Sequence, residues 1–283
     1  MRFELDFAPL DLDLTFGCGQ TFRWRPQPDG SWKGVLGDQL VTLHRTKEGV
    51  AAEAIPGGER VDEKLEIFLR SGDDIQLIQR TLRRDPILAP GAGKLKGLRI
   101  VKLDEWECLI SYILATYANI PRIMKMVDSV AAAYGPHIAP GVHGFPSRRR
   151  LAKASIGQLA NIGLGYRAKY VHRVCDEIDE DAIRSMDDRP YEALRTDLIE
   201  LPGVGEKVAD CVSLFGFGRL ESFPIDVWIE RALRRLYRQK GSYSKLRHFA
   251  AGRFGQYAGY AQEYIYHNER MRGRTGACMF LEE

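Results

Sequence analysis

Apolar residues change their spacing part-way along this chain of 283 residues. In its first part they come in short runs, with Phe22, Trp24, Val35, Leu36, Val41 and Leu43 between the turn signals Pro28-Asp29-Gly30 and Gly37-Asp38. Short apolar runs bounded by such turns predict an antiparallel meander, here anchored by Trp24 and Trp32. The first half-hundred residues read as strands throughout. After Gly57-Gly58 the spacing becomes helical, over 63–70 and 74–84. The Gly- and Pro-rich stretch PILAPGAGKLKGLRI at 86–100 reads as a connector, with a domain boundary near Gly97 that separates 1–97 from 98–283.

Beyond that boundary the pattern is helical. Trp106, Leu109, Ile110, Ile113, Leu114 and Tyr117 fall at i, i+3, i+4, i+7, i+8 and i+11 and predict one buried helix face. Further helices are expected at 121–134, 148–153, 155–162, 166–179, 189–199, 204–216, 227–239, 243–252 and 257–270. The fold class is α+β, an N-terminal antiparallel sheet with a few helices followed by an all-helical body.

Hydrophobic residues at 45% and charged residues at 28% exclude a disordered chain. A net charge of +3 excludes a strongly basic coat, so nucleic-acid contact must come from a local patch. No run is apolar and long enough for a membrane span, and the start MRFELDFAPLDLDL lacks the apolar core of a secretory signal, so a cytoplasmic address is expected. The cysteines Cys18, Cys108, Cys175, Cys211 and Cys278 form no CxxC pair. Neither zinc nor an iron–sulfur cluster is signalled, and reduced thiols are expected.

The segment DLIELPGVGEKVADCVSLFGFGRLESFPIDVWIERAL, 197–233, carries the chemistry. Its helix–turn–helix spans about 192–216, and a Gly/Pro loop follows at 217–226. At the turn, Gly203 and Gly205 carry no side chain, so a phosphate can approach the backbone closely. The amides of Val204, Gly205 and the residues after them open a helix and form an anion cradle that ignores base sequence. An ordinary helix–helix turn has the same outline. Lys207 adds the signal, because a lysine in a first helical turn opposes the dipole. Partly desolvated there, it is a candidate nucleophile, against the ordinary reading of a solvated lysine. Cys211 lies one turn on, on the same face. Asp226 opens the next helix as an N-cap, and the same carboxylate beside an amine could stabilise positive charge on a sugar ring.

These residues resemble the helix–hairpin–helix DNA glycosylase superfamily, and Leu201-Pro-Gly-Val-Gly-Glu-Lys-Val-Ala-Asp-Cys211 is close to its 8-oxoguanine branch. Gly19-Gln-Thr-Phe-Arg-Trp24, Asn119-Ile-Pro-Arg-Ile123, His143-Gly-Phe-Pro146, Leu164-Gly-Tyr-Arg-Ala-Lys-Tyr-Val171 and Gly259-Tyr-Ala-Gln262 agree in family order. The resemblance implies a glycosylase and abasic-site lyase that excises 8-oxoguanine from double-stranded DNA. Lys207 would attack C1′ and form a Schiff base, and Asp226 would support the charge. By the same resemblance, Gly19, Gln262, Tyr266 and Cys211 receive the base. Tyr266 stands where the family has a phenylalanine. Asn119, Arg122, Tyr166 and Arg167 face the wedge and the opposite base, and Gly203, Val204, Gly205 and Lys207 meet phosphate. No cofactor is implied for cleavage. A monovalent or divalent cation is implied at the hairpin, on the carbonyls of Ile199, Leu201 and Val204. A monomer is expected.

Two positions depart from the family pattern. Tyr117 replaces the asparagine that fills the gap left by the extruded base, and Trp228 replaces a histidine two residues after the aspartate. The first departure predicts weaker discrimination of the opposite base. An endonuclease III-type enzyme would show four clustered cysteines near the C-terminus, where this chain has only Cys278, and the alkylated-base branch lacks the lysine. A non-catalytic DNA clamp would need neither Lys207 nor Asp226. The arginine run 148–150 and the basic residues between 231 and 240 read chiefly as solvated faces, and His143 and His267 as structural.

Overall fold

The computed structural model describes residues 2–47, 49–57, 60–275 and 279–280, with only the backbone at 274 and 275. Cys278 lies outside the described residues.

Five strands form one antiparallel sheet: β1 (Arg2–Leu5), β2 (Trp24–Pro26), β3 (Trp32–Leu36), β4 (Gln39–Arg45) and β5 (Val50–Ile55). Their order is β1-β5-β4-β3-β2, so the last four make the expected meander and β1 adds to its far edge. One face is closed by aromatic packing. Phe16 stacks on Trp24 at 4.5 Å and Trp24 on Phe68 at 5.4 Å, while the Trp32 indole N–H donates to Asp13 at 2.8 Å. Burial of each such ring contributes about 2–3 kcal/mol.

Phe16 belongs to a helix, Leu12–Gly17, where a strand was expected. Asp11 decides the matter locally, since its carboxylate accepts the Leu14 amide at 2.9 Å and caps the turn. The connector at 86–100 contains a short helix, Ala89–Ala92, and then threads through the interior. Its polar backbone is satisfied by Gln20, whose Nε2 donates to the carbonyls of Thr15 and Arg99, and whose Oε1 accepts the Val101 amide at 2.8 Å. Gln20 thus ties the sheet layer to the helical body. Buried side chains from both parts form one contiguous core.

The helical body follows the predicted periodicity closely, with two additions. Residues His137–Ala139 and Val142–His143 pair as a small ribbon, and Glu180–Ser185 is a helix capped by Asp179. One expectation fails. The helix Glu105–Leu114 stops before Tyr117, which is 98% exposed with φ +49° rather than part of the buried face. The following helix, Ile120–Tyr134, has its own N-cap in Asn119 and a proline in its first turn, so the chain must leave the first helix and turn within four residues.

Candidate active site

The hairpin forms as predicted, from the helix Tyr191–Glu200, the turn and the helix Glu206–Phe215. At the turn, Gly203 has φ +80°, and a Cβ there would lie 2.8 Å from the Tyr170 ring. Any side chain would force the hairpin off its neighbour. Gly205 caps the second helix without a side-chain hydrogen bond, and the space where its Cβ would stand is open. The first-turn amides of that helix therefore have no side-chain cap. Val204, by contrast, is buried and its amide donates to the Leu201 carbonyl, so it does not join the open amides expected to form the cradle.

The second helix is held by a group that the sequence reading passed over. Asp210 is fully buried and accepts from Tyr191 Oη at 2.7 Å, Arg195 Nε at 2.9 Å and Tyr243 Oη at 2.6 Å. Burial raises its pKa, and these three donors oppose that rise. Ser222 Oγ donates to the Asp210 carbonyl at 2.8 Å, which fastens the loop before Asp226 to the same helix. A lone charge within the apolar run Val208–Phe215 was the available signal.

Lys207 is half-buried in the first turn, with Nζ 5.2 Å from the centroid of the Tyr112 ring. Among the described residues it forms no ion pair with Asp226. Asp226 is the N-cap of Val227–Leu236, and its Oδ1 accepts the amides of Trp228 and Ile229 at 2.9 and 2.8 Å. Oδ2 has no hydrogen-bond partner among the described residues. The carboxylate is therefore aimed by its cap while one oxygen stays available.

Both side chains line a cleft of about 110 Å³, together with Gly19, Cys211, Gln262 and Tyr266. These six residues come from four separate parts of the chain: the loop before β2, the hairpin, the Asp226 cap and the C-terminal helix Ala258–Thr275. Tyr112, Ile120 and Ile123 from two further helices add to the lining. Gly19 has φ +95°, and a Cβ would stand 2.6 Å from Ile120 Cδ1, so this wall closes only around glycine. Burial pushes the Cys211 thiol up to about 12, although Lys207 beside it pulls the other way. Cys211 therefore stays a neutral packing surface at ordinary pH. Burial likewise raises the Tyr266 phenol and keeps that ring neutral. Gln262 is buried, and its Oε1 has no hydrogen-bond partner.

The cleft opens into a larger groove of about 890 Å³ lined by Tyr117, Asn119, Tyr166, Gly203, Gly205 and Trp228. Lys207 and Asp226 line both spaces and so stand at the junction. Tyr117 and Tyr166 are exposed aromatics there. The remaining two arginines lie apart from the groove lining. Arg122 is exposed in the first turn of its helix, where Asn119 Oδ1 accepts its amide at 3.0 Å. Arg167 is buried, with its guanidinium on the Thr116 carbonyl and 4.5 Å from the Tyr166 ring centroid. Ile199 lies in the last turn of its helix, where carbonyls lack intrahelical partners, and the Leu201 carbonyl takes the Val204 amide at 3.1 Å.

Residues 110–254, which contain the hairpin, Lys207 and Asp226, match the family described as HhH-GPD superfamily base excision DNA repair protein. The chain belongs to this superfamily. Residues 2–109 match the N-terminal domain of 8-oxoguanine DNA glycosylase. Across its length the chain is 29% identical to the N-glycosylase/DNA lyase OGG1 of Arabidopsis thaliana, over 93% of this chain and 78% of that protein. It is similar to the solved structure of MBOgg1 in complex with a low affinity DNA ligand, with TM-score 0.88, 30% identity and coverage of 95% and 94%. The 8-oxoguanine glycosylase/lyase of Clostridium acetobutylicum, in complex with DNA containing cytosine opposite to 8-oxoG, superposes with TM-score 0.87 at 27% identity, covering 93% of each chain. The HhH-GPD assignment accounts for the helical body and hairpin, and the match at 2–109 for the sheet layer that supplies Gly19.

Proposed function

We propose that this chain is a bifunctional DNA glycosylase and abasic-site lyase that excises 8-oxoguanine from double-stranded DNA in base excision repair. The observation that carries the proposal is the meeting of Lys207 and Asp226 with Gly19, Gln262, Cys211 and Tyr266 around one cleft. A DNA clamp needs a cradle but no enclosed space behind it. A base-sized cleft behind an amine and a carboxylate suits an enzyme that first turns the nucleotide out of the duplex.

In this reading the extruded base lies between the Cys211 and Tyr266 side chains. The Gly19 carbonyl accepts the N7 proton that 8-oxoguanine has and guanine lacks. With guanine two acceptors face each other, which disfavours its retention. Gln262 reads the Watson–Crick edge. Lys207 Nζ forms a bond to C1′ as the bond from C1′ to the base breaks, and the electron pair leaves with the base. Asp226 stabilises the positive charge on the sugar. Ring opening gives the protonated imine, and loss of a C2′ proton expels the 3′ phosphate. The open amides at Gly205 and beyond hold a backbone phosphate, with Gly203 allowing close approach.

A hairpin cation would be held by the carbonyls of Ile199, Leu201 and Val204, where it would counter phosphate charge. It has no part in the bond-breaking steps. Tyr166 and Arg167 serve the gap and the opposite base together with Asn119 and Arg122, which requires Arg167 to exchange the Thr116 carbonyl for a base acceptor. Among the described residues no helix is long and apolar enough to cross a membrane. A monomer acting in the cytoplasm, on nucleoid DNA if the host is prokaryotic, completes the proposal.

The test is release of free base from a labelled duplex carrying 8-oxoguanine opposite cytosine, beside an undamaged duplex. Release from the lesion alone, with cleavage of the same strand, is expected. Equal treatment of both duplexes would contradict the assignment.

A further inference from the structure

Glu263 has no part in the steps above, yet it lines the same cleft. It follows Gln262 on the C-terminal helix, is 3% exposed, and its Oε2 is buried without a hydrogen-bond partner. Such an atom has lost its water without compensation, which is unusual in a native interior unless a ligand completes the bond. Gln262 Oε1 beside it is in the same condition. On its other side stands the thiol of Cys18, the residue before Gly19. Glu263, with Cys18 against it, thus shares one lining with Gly19 and Gln262, the two groups assigned to opposite edges of the base.

The geometry points to Glu263 as a specificity-determining residue whose carboxyl donates a hydrogen bond to the carbonyl oxygen that a 6-oxopurine carries between those two edges. The inference rests on the reading of the cleft given above. Guanine-type bases present an acceptor at this position and adenine-type bases an amino donor, so a donor here admits the first and opposes the second.

The donor requires a proton. Burial pushes the Glu263 carboxyl up to about 7; the Cys18 thiol and the Arg270 guanidinium oppose this rise, and the Asp226 carboxylate adds to it. Tyr112, Lys207, Cys211 and Tyr266 are the other titratable groups facing the cleft around it. Below neutrality the carboxyl is a donor. Above it, a carboxylate would face a carbonyl oxygen, and the base would be excluded. The sign is thus a loss of excision as pH rises.

The experiment is single-turnover excision of 8-oxoguanine opposite cytosine from about pH 5.5 to about pH 8.5, with cleavage of a preformed abasic duplex as control. Wild type is expected to lose excision by about tenfold per pH unit above neutrality. Glu263→Gln, a neutral amide able to donate the same bond, is expected to keep its rate through that range. Glu263→Ala should lose about five- to tenfold at acidic pH while abasic cleavage stays level. A Gln variant with the wild-type alkaline fall, or an Ala variant excising at the wild-type rate, would overturn the inference. A wild type that cleaves abasic DNA but releases no 8-oxoguanine at any pH would overturn it together with the lesion assignment, leaving the lysine chemistry standing.

Discussion

At the scale of single residues, the positions that depart from the family pattern carry the sharpest expectations. Tyr117 lines the groove outside the cleft, 98% exposed in a left-handed conformation, where it offers a flat ring and no amide to pair with a cytosine edge. Excision rates are therefore expected to be similar across the four opposite bases. Tyr117→Asn should raise the preference for cytosine over adenine by about tenfold, since it restores hydrogen bonds to the partner base. A wild type already strict for cytosine would reject this account of Tyr117. Asp226 poses a different problem, because it is both a helix cap and the charge beside the nucleophile. Asp226→Asn separates the two. Asparagine caps as well as aspartate, so unfolding free energy should stay within about 0.5 kcal/mol. Excision should fall by about a hundredfold or more with the charge removed. A drop in stability as large as the drop in rate would return Asp226 to a purely structural role.

At the scale of elements, the hairpin was legible because its signals are local: Leu-Pro-Gly-Val-Gly between two helical periodicities, then Lys207 and Asp226 at fixed distances. The helix Leu12–Gly17 was not legible, because LDLDLTF alternates like a strand and only the cap from Asp11 favours the turn. Tyr117 was misplaced for the reverse reason: helical spacing continued past the last helical residue, and the Asn119 cap of the next helix ended the first. What fixes the hairpin against the following loop was also hidden. Asp210 gathers Tyr191 and Arg195, one turn apart on the first hairpin helix, and Tyr243 from a later helix, and no spacing rule links these donors to Asp210. Asp210→Ala leaves Arg195 and two hydroxyls without their buried acceptor. A loss of about 3–5 kcal/mol is expected, read as a fall of about 10 °C in Tm, while Asn at the same position should retain part of the network. An Ala variant that melts with the wild type would show that the network does not hold the hairpin.

At the scale of the whole molecule, the cleft exists only where the sheet layer meets the helical body. Gly19 comes from the loop before β2 and Gln262 from the last helix, and Gln20 binds the connector between the two layers. Residue types and motif order pointed to those positions, but their meeting around one space depends on long-range packing that periodicity does not encode. Glu263 shows the same limit. In sequence it is one more charge in a tyrosine-rich helix, and only its burial beside Cys18 makes it a candidate reader of the base. The central claim is that this assembled cleft presents Lys207 as a nucleophile to C1′ of a damaged nucleotide. Borohydride trapping tests it most directly, on a labelled duplex with 8-oxoguanine opposite cytosine, beside an undamaged duplex and the Lys207→Gln variant. A covalent adduct is expected only with the lesion and only with Lys207 present. Folded wild-type protein that binds the lesion yet leaves no adduct, or a Lys207→Gln variant that still traps, would contradict it.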